Sequence, residues 1–250
     1  MNSSEYQKLY ELETSYWWHV GRRTIVAVLI RKFALPLGGP RKPSATVKIL
    51  DIGCGTGETT KFLSQFGKVT GLDAAEQAVE FCKRRGLFNI KHGCAECLPF
   101  KENSFGLVTM LDLLEHVEND SQALEESYRV LSSNGTLLIT VPAHPTLWSE
   151  HDIALQHQRR YLKKELRAKV ERAGFKVQKL SFAVTTLFLP MLVYRRLQRI
   201  LPPNRKPQTS YVLLPTWLNN TLIALLKLEA GALEYSNLPF GASLVCLAKK

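Results

Sequence analysis

Cysteine is scarce in this chain of 250 residues: five in all, at positions 54, 82, 94, 97 and 246. A count so low, and odd, excludes a disulfide scaffold and fits a reduced compartment. Cys94 and Cys97 make one C-x-x-C pair, with neither a second pair nor a histidine at zinc spacing, so they are not read as a metal or redox centre. Acidic residues are scarce in the last hundred positions. Residues 151–250 carry 5 Asp/Glu against 17 Lys/Arg, whereas residues 1–150 are nearly balanced, so the formal excess of +11 lies in the C-terminal part. Long apolar runs are missing as well. Phe182 to Tyr194 is about 13 residues and contains Pro190, too short for a bilayer core of roughly 30 Å. Tyr211 to Leu228 is longer but is broken by Asn219, Asn220 and Thr221. A basic leader segment is absent too: Glu5, Glu11 and Glu13 stand where one would be, so a secretory signal is not expected and a cytoplasmic protein is.

What is present centres on residues 47–57, Val-Lys-Ile-Leu-Asp-Ile-Gly-Cys-Gly-Thr-Gly. Val47 to Ile52 is long enough for a buried parallel strand, and Glu58 to Phe66 is helix-like. A strand, a glycine turn and a helix form a nucleotide pocket at the carboxyl end of a sheet. A dinucleotide fingerprint needs G-x-G-x-x-G, but its third glycine would fall on Glu58. The pattern is instead D-x-G-x-G-x-G. An acid beside the turn and another at the helix start repel a pyrophosphate and suit a ligand with an amino group and a cationic centre.

The same order of motifs continues. Gly67 to Asp73 reads as a second strand ending in an acid, 22 residues after Asp51, near the spacing at which such an acid meets a ribose diol. Gly93-Cys94-Ala95-Glu96-Cys97-Leu98-Pro99-Phe100, Leu114-Glu115-His116-Val117 and Arg129-Val130-Leu131 with Gly135 follow. Over residues 47–142 the chain resembles the class I S-adenosylmethionine-dependent methyltransferases, in the broad group called type 11. The resemblance implies S-adenosylmethionine as cofactor. It would be held by Asp51, Gly53, Cys54, Gly55 and Gly57 at the turn, by Asp73 and Ala74 after the second strand, by backbone groups at Ala95 and Glu96, and by Leu111 and Asp112 after the fourth. Cys94 departs from the family's usual Asp.

Alternating strands and helices imply an α/β fold: a doubly wound, seven-stranded, mostly parallel sheet with N-terminal helices and a helical insertion before the last strand. The expected organisation is a helical cap and linker over 1–44, a core over 45–184, a basic and apolar insertion over 185–239, and a final core strand over 240–250. Residues 3–34 read as helical, with Trp17, Trp18, Arg22 and Arg23 in the part that in relatives folds over the cofactor mouth. In the insertion, basic clusters bracket apolar runs, which suits a helix lying in a membrane interface over 182–228. The alternatives are a lid packed on the sheet or on a second copy, as a homodimer.

Methyl transfer to a hydroxyl needs alignment and proton removal. His116, after the fourth strand, is the leading candidate base. His144, His151 and Asp152 lie in a dense loop after strand five, His151 and Asp152 being a candidate base and orienter. Asp112, Glu115 and His116 also resemble the E-x-x-E-H set of quinone-biosynthesis O-methyltransferases, which can hold a divalent metal. Asp replaces the first Glu here, the loop reads as a solvated helix cap, and no metal is expected. The function expected is O-methylation of a small-molecule or lipid-linked acceptor (a lipid, an isoprenoid or a lipid-linked sugar) at the inner face of a membrane. The alternatives are an RNA or protein methyltransferase and a non-catalytic cofactor-binding scaffold. Nucleic acid is not the expected partner: Leu111-Asp112-Leu113-Leu114 stands where amino-methylating DNA enzymes carry a Pro-Pro-aromatic turn.

Overall fold

The computed structural model describes residues 3–34, 47–200, 211 and 214–250. Seven strands form one sheet in the order β3-β2-β1-β4-β5-β7-β6: β1 Lys48–Ile52, β2 Lys68–Asp73, β3 Ile90–His92, β4 Phe105–Leu111, β5 Leu131–Pro142, β6 Lys176–Ala183 and β7 Ser243–Lys249. The first five pair parallel. β7 runs antiparallel between β5 and β6. This is the expected α/β architecture.

The central strands are apolar on both faces because both are covered. Successive side chains feed opposite layers. Leu50, Ile52, Val108, Met110, Leu137, Ile139 and Val141 pack into one core; Ile49, Leu107, Leu111, Leu138, Val245 and Leu247 pack into the other. The sheet order reverses on either side of β1, and there the carboxyl ends of β1 and β4 open a crevice.

The N-terminal segment and the insertion, which the sequence suggests are separate, share one layer. α1 (Ser3–Leu12) and α2 (Trp17–Leu29) are distinct helices, not one helical stretch. They part because Glu13 turns inward and Tyr16 takes an extended conformation ahead of α2. A wider π turn, Ile30–Ala34, follows α2. The next helices are α3 Glu58–Leu63, α4 Glu76–Arg84, α5 Asp120–Val130, α6 Glu150–Ala154 and α7 Lys163–Arg172. Between β6 and β7 lie α8 (Phe188–Ile200) and α9 (Thr216–Tyr235). The apolar run from Phe182 is therefore divided between the end of β6 and α8, and the later run contributes α9 from Thr216. The expected linker at 35–44 and the basic turn at 202–207 lie outside the described residues.

α2 lies against α9 so closely that a Cβ on Gly21 would sit 2.1 Å from Leu226 Cδ1. Asn219, which interrupts the apolar pattern, pins this contact. Its Oδ1 accepts from Trp17 N–H at 2.9 Å, and its Nδ2 donates to Ser15 C=O at 3.0 Å. The far end of the insertion is fixed by Glu229, whose carboxylate accepts from the amides of Val184 and Thr185. Val184 is β-branched and has φ of 60°, a costly conformation that needs such support. No described helix is long and apolar enough to cross a membrane.

Asn219→Ala removes a first-turn acceptor for α2 and is expected to cost about 1 kcal/mol, lowering the melting temperature by about 2–4 °C for a chain of this size. Thermal unfolding followed by circular dichroism checks it; an unchanged midpoint removes Asn219 from the docking of α2 on α9.

Candidate active site

The turn after β1 bends through three left-handed glycines, Gly53 (φ 74°), Gly55 (φ 55°) and Gly57 (φ 93°), a region costly for any residue with a Cβ. Around Gly55 only Leu9 Cδ2, at 3.7 Å, lies near the place a Cβ would take, so the turn presents bare backbone. Asp73 closes this floor from the end of β2. Its Oδ2 accepts from Gly55 N–H at 2.9 Å and its Oδ1 from Ala75 N–H at 3.0 Å. These amides do not use all the lone pairs of the carboxylate, which keeps acceptor capacity for a diol. Burial pushes the Asp73 carboxyl up from its ordinary range. Asp51 is buried and accepts from Thr60 Oγ1 at 2.6 Å and Thr109 Oγ1 at 2.7 Å, which locks β1 to β4 and α3 beneath the turn.

A cavity of about 1110 Å³ begins at this floor. Its walls include Asp51, Gly53, Cys54, Gly55, Asp73, Ala74, Ala95, Glu96, Leu111 and Asp112, all of them expected cofactor residues. Gly57 is not among them. Its place would put a Cβ 2.8 Å from Leu87 Cδ1 and 2.9 Å from Cys82 Sγ, so it serves the backbone bend and the packing of α4. Asp112 reaches the cavity with its carboxylate already engaged: Arg22 donates to Oδ2 at 2.6 Å and Thr140 Oγ1 to Oδ1 at 2.9 Å. Glu58 is likewise neutralised, by Arg85 at 3.2 Å, so its charge says less about the ligand than the sequence suggests. Arg85 also donates to Glu13 Oε1 at 2.8 Å and to the carbonyls of Thr56 and Tyr10, tying α1 to the glycine turn.

The loops after β4 and β5 form the other side. The 112–117 loop is held by Tyr161, whose hydroxyl donates to Asp120 Oδ2 at 2.8 Å and lies 3.1 Å from Leu114 C=O. Gln158 binds it twice, through N–H to Glu115 C=O at 2.7 Å and Nε2 to His116 C=O at 3.1 Å. Glu115, His116, His151 and His157 all face the cavity. Burial lowers His116 and His151 to about 4, so both are neutral imidazoles at physiological pH. Burial drives the Glu115 carboxyl well above its usual range, with the nearby Asp112 charge adding to the effect.

Two expected catalytic residues are placed elsewhere. His144 is outside the cavity wall, its ring stacked on Phe182 at 5.1 Å and tilted against Phe188 at 5.3 Å. It braces the loop. Asp152 is fully buried, with its carboxylate taken up by three other residues. It accepts from Ser149 N–H at 2.8 Å at the start of α6, from Arg160 through Nε at 2.7 Å and Nη2 at 3.1 Å, and from His157 Nδ1 at 2.9 Å. These donors hold the Asp152 carboxyl far below the carboxylate range despite its burial. The imidazole that Asp152 orients is therefore His157. Sequence reasoning passed over it because the partner lies five positions back, across a turn with Gln156 at φ 59°. No spacing rule could join Arg22 to Asp112, 90 residues apart.

The floor fits the nucleoside that the sequence resemblance implies: bare backbone for close approach, a buried carboxylate with spare acceptor capacity for a sugar diol, and a slot walled by Ala74, Ala95 and Glu96. Comparison with known proteins agrees. Residues 50–139 match the family described as "Methyltransferase domain". A demethylmenaquinone methyltransferase of Staphylococcus epidermidis is 41% identical over 108 residues, covering 40% of this chain and 45% of that protein, so the chain spans about half the length of the curated relatives it matches. Among solved structures, a possible histamine N-methyltransferase of Thermotoga maritima shares 19% identity at a TM-score of 0.59, covering 99% and 95% of the two chains. A putative methyltransferase solved in complex with the Haloferax volcanii Trm112 methyltransferase activator shares 16% at 0.61, covering 98% and 94%. At these identities the two structures speak for the fold. The matched domain, the sheet order and the glycine turn together support a class I S-adenosylmethionine-dependent methyltransferase, with residues 50–139 as its methyltransferase domain.

Proposed function

We propose that this protein transfers a methyl group to an oxygen of an amphipathic acceptor, a lipid, isoprenoid or lipid-linked sugar, drawn from a membrane surface. The observation that carries this reading is the second half of the cavity. Beyond the cofactor floor one wall is apolar: Trp17 and Trp18 from α2, Leu187, Pro190 and Met191 at and within α8, and Leu222 from α9. Pockets for a single small ligand run to about 1,000 Å³ at most. A volume of about 1110 Å³ leaves space for an acceptor beside the cofactor.

S-adenosylmethionine supplies an electrophilic methyl carbon. The protein supplies alignment and exclusion of water. α2 covers the floor through Arg22, and the tryptophans turn an apolar wall inward. The polar end of the acceptor meets the neutral His116 and His151 and the Asp152-oriented His157, while its apolar part lies along α8 and α9. On the outer face of α8, Leu189, Val193 and Leu197 are 61%, 57% and 55% exposed at i, i+4 and i+8. A stripe of this kind beside Arg196 suits shallow insertion among lipid headgroups. The relative named for demethylmenaquinone is in line with an isoprenoid acceptor.

Full-length protein incubated with S-adenosylmethionine carrying an isotopic methyl, together with a membrane extract, is expected to move the label into the organic phase. Label recovered in RNA or protein instead would overturn the acceptor class. In flotation on vesicles containing anionic lipid, the Leu189→Glu/Val193→Glu/Leu197→Glu variant is expected to lose at least about tenfold of its bound fraction, since each apolar side chain withdrawn from water is worth about 1.5–3 kcal/mol. Equal flotation of the variant refutes insertion through α8. A dimer that dissociates in the variant would assign the stripe to self-association.

A further inference from the structure

We propose that Arg160 and Arg195 form an anion site on the acceptor side of the cavity, and that the acceptor carries a phosphate ester which this site holds. The inference rests on the lipid-acceptor reading above and narrows it to phosphate-bearing amphiphiles.

The site is built from two elements. Arg160 lies between α6 and α7, Arg195 lies on α8, and both face the cavity. Their side chains are 4% and 11% exposed. Both lean on one carboxylate, that of the fully buried Asp152. Arg160 donates to it through Nε at 2.7 Å and Nη2 at 3.1 Å, and Arg195 Nη1 stands 3.7 Å from its Oδ2. Arg160 donates as well to the carbonyl of Ala143, and Arg195 to that of Leu147.

Charge does not close at this wall. Two guanidinium groups bring two positive charges, and Asp152 returns one. The same carboxylate also serves Ser149 N–H and His157 Nδ1. Neighbouring acids do not make up the difference. Asp112 is paired with Arg22. Burial drives the Glu115 carboxyl well above its usual range and favours its uncharged form. Glu118 lines the cavity but is exposed to water. The insertion contributes none, because no Asp or Glu occurs between Arg172 and Leu228. Any further partner that Arg195 finds within its own segment is therefore neutral or basic. A buried excess charge is expensive until a counter-ion joins it. The excess is felt by its neighbour: burial, joined by the charges of Arg195 and Arg160 and opposed by that of Asp152, holds His151 at about 4.

Guanidinium is the side chain that best matches phosphate oxygens. The donors come from two directions in the chain, α8 on one hand and the segment of His151, His157 and Arg160 on the other. Such a set serves the tetrahedral oxygens of a phosphate better than a flat carboxylate. The rest of the wall points to an amphiphile and not to a free ion. Pro190, Met191, Tyr194 and Arg195 all face the cavity. Met191 and Arg195 are four positions apart, about 6 Å along the helix. One ligand can thus lay its chain on the first turns of α8 with its phosphate at Arg195.

The experiment is calorimetric titration of full-length protein, loaded with S-adenosylhomocysteine, with farnesyl phosphate, with farnesol and with inorganic phosphate. One equivalent of farnesyl phosphate is expected to bind, at least about tenfold tighter than either of the others, since a charge-assisted hydrogen bond is worth that much. This comparison needs no variant. Arg195→Gln is expected to cost farnesyl phosphate at least about tenfold in affinity and to leave farnesol and S-adenosylhomocysteine unchanged, with Arg195→Lys intermediate. Farnesol bound as tightly as its phosphate, or an equal effect of Arg195→Gln on both, would overturn the site. Inorganic phosphate bound as tightly as farnesyl phosphate would overturn the amphiphilic ligand. The labelling experiment above separates this inference from the reading beneath it. Labelled lipid that an anion exchanger does not retain overturns the phosphate and keeps the lipid acceptor. Arginine-dependent binding of farnesyl phosphate, with no label in any lipid, keeps the anion site and sinks the acceptor reading.

Discussion

A part-buried ion pair between Arg22 and Asp112, 2.6 Å long, joins the two halves of this molecule. Arg22 sits on α2, in the cap, and Asp112 follows β4, where the sheet meets the site. Arg22 also reaches the carbonyl of Leu111 and the hydroxyl of Thr59 at 3.4 Å each. A pair this enclosed adds little net stability against an apolar substitute, yet removing one partner leaves a stranded charge that in buried pairs costs on the order of 3–5 kcal/mol. With the two side chains 13% and 20% exposed, the lower end applies. The pair fixes where the cap sits. With α2 placed there, Trp17 and Trp18 become the wall of the cavity, and α9 gains the surface on which Gly21 and Leu226 meet.

From that constraint the division of labour follows. The stretch shared with relatives, residues 50–139, holds the glycine turn, Asp73 and the loop of Glu115 and His116, so it accounts for the cofactor floor. Most of the remaining cavity wall lies outside it: α2, the loop from Pro142 to Tyr161, and α8 with α9. On this side of the cavity His116 and His151 are kept uncharged by burial, while Asp152, fully buried, holds Arg160 and His157 at the wall.

The sheet and the floor could be read from the sequence because local patterns dictate them. Three glycines at alternate positions require left-handed backbone, and an acid at the end of β2 has only the turn to face. The acceptor side depends on contacts that no spacing carries. Asp112 looked available until Arg22, from 90 residues away, was seen to fill it. His151 looked like the partner of Asp152 because they are neighbours, but the turn at Gln156 swings His157 into that place. His144 looked catalytic by composition, and two phenylalanines claim it for packing. Asn219 looked like an interruption of an apolar run and proves to be the acceptor that seats α2. In each case a polar side chain was claimed by a partner, polar or aromatic, that periodicity does not show.

The central claim is that a sulfonium nucleoside or its demethylated product rests on the turn at Gly53–Gly57 with its sugar on Asp73. Calorimetric titration of S-adenosylhomocysteine into the full-length protein, beside Asp73→Ala and beside NAD, tests it most directly. The account predicts one site in the unaltered protein, a loss of about 10–100-fold in affinity in the variant from removal of a charged hydrogen-bond acceptor, and no heat with NAD. Equal affinity in the variant, or binding of NAD in place of the sulfonium product, would contradict it.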